Sequence, residues 1–529
     1  QKCGRCGLAE YCNRECQRGD WKLHKVKCKR LTEIIVDTDV KNRIRSGALK
    51  RRLLTLSGGT VVLTVRDPDI TTIGDMHLAD ERAREAPFFN CKSLLRIDLK
   101  GCTKLTSVGK GAFDECTSLT SVVLPDSLTH MGKQAFGECS SLTSVVLPDS
   151  LTQIGIGAFF QCTSLTSVVL PDSLTQLGIG AFSECSSLTS VVFPDSLTLI
   201  GVQAFIECTS LTSFVLPDSL TQLGDGAFLR CSSLTSVVLP NSLTQIGQQA
   251  FQDCTSLTSV VFPDSLTQLG ECAFAGCSSL MSVVFPDSLT QLGKAAFCEC
   301  TSLTSVVFPD SLTLIGEQGV IECTSLTSVV LPDSLTQLGD GAFEGCTSLT
   351  SVVFPDSLAL IGQQAFQDCT SLTSVVFPDS LTQLGEQAFI ECTSLTSLVL
   401  PDSLTELGDA AFQDCTSLTS VVLPDSLTQL GECAFAGCSF LMSVVLPDSA
   451  ELGDEVFLEC DALVQKVALA GFDTVELYLR DRYKCVILRK LVLRLLGKYN
   501  QAVNEANGTE AEKNATALAY FPTDNSSTL

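Results

Sequence analysis

From Cys116 to Cys438, one pattern of apolar and polar positions recurs every 23 residues. The unit that opens at Cys162 reads Cys-Thr-Ser-Leu-Thr-Ser-Val-Val-Leu-Pro-Asp-Ser-Leu-Thr-Gln-Leu-Gly-Ile-Gly-Ala-Phe, and after two more residues Cys185 restarts it. A fixed period of this length means one structural unit per period, stacked on copies of itself. Within a unit, Leu-Thr-Ser-Val-Val-Leu-Pro predicts a short strand. Alternation sends Val122 and Leu124 inward and Ser121 and Val123 outward. Pro125-Asp126 predicts a turn. A second apolar pair follows, Leu128 with Met131 or Leu151 with Ile154. The glycine after it (Gly132, Gly155, Gly178) permits a tight bend.

Inward positions form ladders. Phe113, Phe136, Phe159 and their successors run to Phe457, with Val320 as the one substitution, and predict a continuous aromatic core. The cysteine ladder is open to two readings. Neighbouring coils ~4.8 Å apart fall within the reach of a disulfide, but a reduced cysteine is also a small apolar residue that is often buried. We expect the buried thiol. The aspartates Asp126, Asp149, Asp172 and onward to Asp448 form a further row. One acid per turn is too few oxygens for calcium, so we expect turn residues. The outward strand positions are nearly uniform, and variation sits beside Ala-Phe (Ile179-Gly180, Asp225-Gly226, Gln248-Gln249, Lys294-Ala295). Selective contacts are expected at that variable edge.

Segments fitting L-x-x-L-x-L-x-x-S, followed by L-P-x-S-L-T-x-I-G-x-x-A-F-x-x-C, resemble the BspA-like (Treponema pallidum type) leucine-rich repeats. The resemblance covers roughly residues 70–461. It implies a right-handed solenoid of parallel strands, mostly β, in a family that is commonly binding or adhesive. About seventeen units at ~4.8 Å each would extend roughly 80 Å. The first coils are irregular: Ile70 to Gly74 and Ala86 to Cys91 fit the pattern around an insert, Cys102 is extra, and Thr60 to Val65 reads as an edge strand. The repeats are thus assigned to 60–461. Residues 462–500 are expected to form a basic helical cap, read from Asp473 onward, that could pair with the acidic rim. Residues 501–529 form a polar tail expected to be disordered.

Charge separates the parts. Residues 1–52 hold fifteen Lys/Arg against six Asp/Glu, whereas Lys104 to Cys460 holds five basic residues in all. With the chain at −24, the solenoid should repel nucleic acid and anionic membranes. No stretch of eighteen continuous apolar residues predicts a membrane span.

Chemistry concentrates at the amino end, in Cys3-x2-Cys6-x5-Cys12-x3-Cys16-x7-His24-x3-Cys28. Thiolates and imidazole at such spacing are zinc ligands, and a short basic segment without a core would draw its folding free energy from the metal. Together with Tyr11-Cys12-Asn13-Arg14-Glu15-Cys16-Gln17 and Asp20-Trp21-Lys22-Leu23-His24, residues 1–28 resemble the carboxy-terminal part of a MYND zinc finger. The resemblance implies Zn2+, with one complete site from Cys3, Cys6, His24 and Cys28. Cys12 and Cys16 belong to a second site whose earlier Cys-x-x-Cys pair is absent, and truncation before Gln1 is the expected reason. It also implies docking of short proline-containing peptides through Gln17 and Trp21, although Trp21 equally reads as a small-domain core residue. Residues 29–59, with Lys50-Arg51-Arg52, read as a basic helix and linker.

Neither H-E-x-x-H nor a phosphate loop nor G-x-S-x-G occurs, and no small-molecule substrate is expected. The reading is a non-enzymatic, intracellular zinc-binding adaptor: the finger docks a peptide and the solenoid serves as scaffold for other proteins. The alternative is a surface or secreted adhesion-type repeat protein, for which Asn507, Asn514 and Asn525 would be glycosylation sites.

Overall fold

The computed structural model describes residues 31–36, 60–73, 88–447 and 449–482, together with 484, 494, 496 and 498. The 23-residue unit makes one coil of a parallel β-solenoid, and each coil lays down two strands. The first comes from Ser-Val-Val, as in Ser144–Val146, with only the middle residue buried. The second comes from Gln-Leu or its equivalent, as in Gln153–Ile154, again with one side chain in and one out. Pairing is in register at one period: Val122 lies beside Val145 and Met131 beside Ile154. Two parallel sheets therefore run the length of the molecule, enclosing one core.

That core is built of ladders. Phe88 opens the aromatic stack against Phe113 with ring centroids 5.0 Å apart, and the last rung, Phe435 on Phe457, is at 6.0 Å. Rings are near-parallel throughout, and Val320 fills the rung between Phe297 and Phe343. A second set of rings at the end of the first strand meets the stack edge-on, as Phe193 meets Phe205 at 89°. Phe214 stands where other coils carry valine. It is half-buried and stacks at 4.4 Å on Phe228. At this coil the first sheet narrows to a single bridge, Ser190 to Ser213.

Every ladder cysteine is a free, buried thiol, as expected. The Sγ–H of Cys139 donates to the Phe113 carbonyl of the coil below at 3.2 Å, and this bond recurs up to Cys460 and Phe435 at 3.1 Å. Burial drives these thiols up, Cys185 and Cys346 to about 12. The serine of Pro-Asp-Ser ties coils together in the same way: Ser150 Oγ donates to the Leu128 carbonyl at 2.7 Å. At the corner glycines the backbones of successive coils nearly touch. A Cβ on Gly270 would lie 2.6 Å from the Gln248 nitrogen and the Gly247 carbonyl carbon.

The amino end of the solenoid differs from expectation in two places. Residues 31–36, read as part of a helix and linker, form strand β1 (Leu31–Val36), which pairs in parallel with β2 (Thr60–Val65). Its run of Ile-Ile-Val favours extended backbone over helix. Consequently β2 is an inner strand rather than an edge strand, since it also pairs with β4 (Leu94–Asp98) after β3 (Thr72–Ile73). At the far end, helix α1 (Asp461–Leu469) begins directly after Cys460, where the cap was expected from 462, and buries Leu463 and Val467. Residues 475–482 are helical, as the sequence suggested. They bury Tyr478 and Leu479 against the core, and Arg480 Nη2 donates to the Ala450 carbonyl at 3.1 Å. Arg480 also forms a salt bridge to Glu476 on its own helix.

Candidate functional site

Among the described residues the repeat builds long, open surfaces. Two residues per coil adopt left-handed backbone, one before Ala-Phe and one before Cys, as at Gln134 (φ 51) and Glu138 (φ 52). The bend is held from outside: the N–H of Gln134 donates to Ile156 and that of Phe136 to Ala158 in the next coil. Glycine occupies the first position in coils such as Gly157 and Gly180, at φ +58. Elsewhere the position holds glutamine or glutamate, as at Gln203 and Glu455, or alanine or cysteine, as at Ala295 and Cys272, with the backbone fixed by the stack.

A shallow groove runs along the corner glycines. Its floor is Gly362, Gly385, Gly408, Gly431 and Gly453, and its volume there is about 750 Å³. A similar stretch of about 680 Å³ follows Gly224 to Gly293. One wall is the variable row predicted from sequence. After Lys110 and Lys133 it is apolar at Ile156, Ile179 and Val202, which are partly exposed, and it is acidic at Glu386, Asp409, Glu432 and Asp454. Part of that acidity is structural, since Asp340 Oδ1 accepts the Gln363 N–H and Asp409 Oδ1 accepts the Glu432 N–H, both at 2.8 Å.

A second acidic row borders the cysteine ladder. Asp114 is pushed up to about 6 by burial first and then by Glu138 and Glu115, and its Oδ1 is buried without a hydrogen-bond partner. Glu391 is raised by a hydrogen bond with Asp368. Arg230 interrupts the row and bridges Glu207 at 2.9 Å and Asp253 at 3.5 Å. The Pro-Asp-Ser aspartates are exposed, as turn residues are. Among the described residues, no group of three or more His, Cys, Asp or Glu is placed to hold a metal, and no helix is long and apolar enough to cross a membrane. Cys3, Cys6, Cys12, Cys16, Gln17, Trp21, His24 and Cys28 lie outside the described residues, as does the tail 501–529.

The family model for the BspA type leucine-rich repeat region matches overlapping stretches that together span residues 82–464. The chain belongs to the BspA-type leucine-rich repeat family. A crystal structure of a leucine-rich repeat protein from Bacteroides ovatus is similar at 32% identity and a TM-score of 0.56, covering 61% of this chain and 86% of that one. The MYND finger model matches residues 1–28. That segment is 67% identical over 27 residues to N-lysine methyltransferase SMYD2-A of Danio rerio and 62% identical over 29 residues to SET domain-containing protein 14 of Caenorhabditis elegans. These matches span 6% and 7% of the relatives' own lengths and stop at the finger. Methyl transfer is thus a property of those proteins that this likeness does not carry across. In this BspA-type chain the groove and its variable wall are the features sequence reasoning reached only in part. The variable row was legible; the groove was not, because it exists only once the glycines of successive coils are stacked.

Proposed function

We propose that this protein is a non-enzymatic interaction adaptor, in which an amino-terminal MYND-type finger docks a short proline-containing peptide and the solenoid presents a second protein-binding surface. The observation that carries the reading is the pairing of two recognition modules of opposite charge in one chain. A basic, cysteine-rich segment matches the MYND model, and an acidic solenoid exposes a long groove with one variable wall. Cys3, Cys6, His24 and Cys28 would hold one zinc ion, and Cys12 and Cys16 half of a second site. Four such ligands close the coordination shell, which makes the ion structural. Gln17 and Trp21 would contact the peptide.

The test uses the full chain, reduced and zinc-loaded, on an array of proline-containing peptides. Trp21→Ala should abolish the signal of any bound peptide and leave the far-UV circular dichroism of the solenoid unchanged. Undiminished binding by Trp21→Ala would refute docking through the finger.

A further inference from the structure

The outward valine of the first strand is exposed in thirteen consecutive coils, from Val146 to Val422, at 55 to 84% of its surface. At ~4.8 Å per coil and three strand residues of ~3.3 Å, this strip measures about 60 by 10 Å. That is roughly 600 Å² of continuous face, with an unbroken valine column along it, at the upper end of what a monomer exposes. The strip is also the uncharged part of a chain at −24. Across the fifteen units that begin at Cys116 to Cys438, its Thr, Ser and Val positions never hold a charged residue. The outward departures run the other way: Met281 and Met442 replace threonine and Phe440 replaces serine, and all three are exposed. The edge beside Ala-Phe, by contrast, accepts lysine, aspartate and glutamate.

Burying this face leaves most threonine hydroxyls satisfied, while the outward serines beside the valines, such as Ser167 and Ser190, are exposed and must pair across the contact. The threonine hydroxyls are already partnered within the solenoid: Thr189 Oγ1 donates to the Thr166 carbonyl at 3.0 Å and Thr258 Oγ1 to Thr235 at 3.0 Å. They bring no unpaired polar group into a contact.

We propose that the valine face packs against the same face of a second copy, sheet on sheet, about a two-fold axis. A second copy is the occupant the geometry favours. Its ladder has the same ~4.8 Å pitch, so rows of side chains interdigitate in phase. Two such strips bury about 1,200 Å² together, which reaches the range of specific interfaces. A two-fold contact makes one patch complementary to itself. The acidic rims repel across it, so salt tightens the dimer. This inference does not rest on the adaptor reading.

The test is the molar mass of the reduced full chain by light scattering across micromolar concentrations. The proposal expects two chains for the wild type, and one for the triple variant Val238→Lys, Val261→Lys, Val284→Lys with unchanged circular dichroism. Gln222→Lys, Gln245→Lys, Gln268→Lys on the other sheet should remain at two. A wild type that stays at one chain throughout overturns the proposal, whether another segment or another protein covers the strip. So does a valine variant that remains at two.

Discussion

The buried thiol ladder makes the solenoid sensitive to alkali, and the size of the effect follows from the structure. Burial raises Cys185 and Cys346 from the ordinary thiol value of 9.0 to about 12, and the other ladder thiols shift in the same direction, Cys116 through its hydrogen bond with Cys91 and then burial. In the unfolded chain the thiol ionises near its ordinary value; in the coil it stays protonated. The unfolded state therefore releases more protons, and stability falls as pH rises above about 9, continuing toward 12. The contribution is fully present below pH 9. At about pH 10, one unit above the ordinary value, each coil loses ~1.4 kcal/mol. Because repeat stability is close to additive, fifteen ladder thiols multiply the effect. No tyrosine lies between residues 104 and 460 to confuse it. The assay is urea unfolding followed by circular dichroism under reducing conditions from pH 7.5 to 10. The midpoint should fall steeply above pH 9, and Cys231→Ala, Cys254→Ala, Cys277→Ala should lessen the slope in proportion. A midpoint unchanged between pH 8 and 10 would refute the reasoning.

Two further substitutions probe the stack. Phe228→Ala removes a fully buried ring held between Phe205 at 5.3 Å and Phe251 at 5.5 Å, and should cost about 3–5 kcal/mol. Hydrogen exchange should show the loss centred on the adjoining coils, and a cost below ~1 kcal/mol would argue against a close-packed ladder. Gly270→Ala forces the neighbouring coil's backbone to move and should cost ~1–3 kcal/mol, read from the same urea curves; wild-type stability would mean that the corner is looser than described.

Much of this fold was legible in the chain because the repeat supplies the same statement many times. Alternation placed Val122 inside and Ser121 outside, and both sit so. The Phe and Cys positions read as core, and they are core. What escaped depends on contacts between coils, which no single unit displays. Ser150 reads as a turn residue, yet its hydroxyl serves the Leu128 carbonyl 22 residues earlier. Gln134 and Glu138 are long side chains in a conformation that usually calls for glycine or asparagine. Only hydrogen bonds to the next coil hold them there. Strand β1 was missed for a related reason: its partner, β2, lies across an intervening stretch of chain.

The claim that joins the two ends of the chain is that the amino-terminal segment is a zinc-held recognition module. Its most direct test is the number of zinc ions per chain in protein purified under reducing conditions without added metal. The account predicts about one tightly held ion, lost with Cys6→Ser or His24→Ala while the solenoid keeps its circular dichroism. No zinc, with Cys3, Cys6, Cys12, Cys16 and Cys28 found oxidised in pairs, would contradict it.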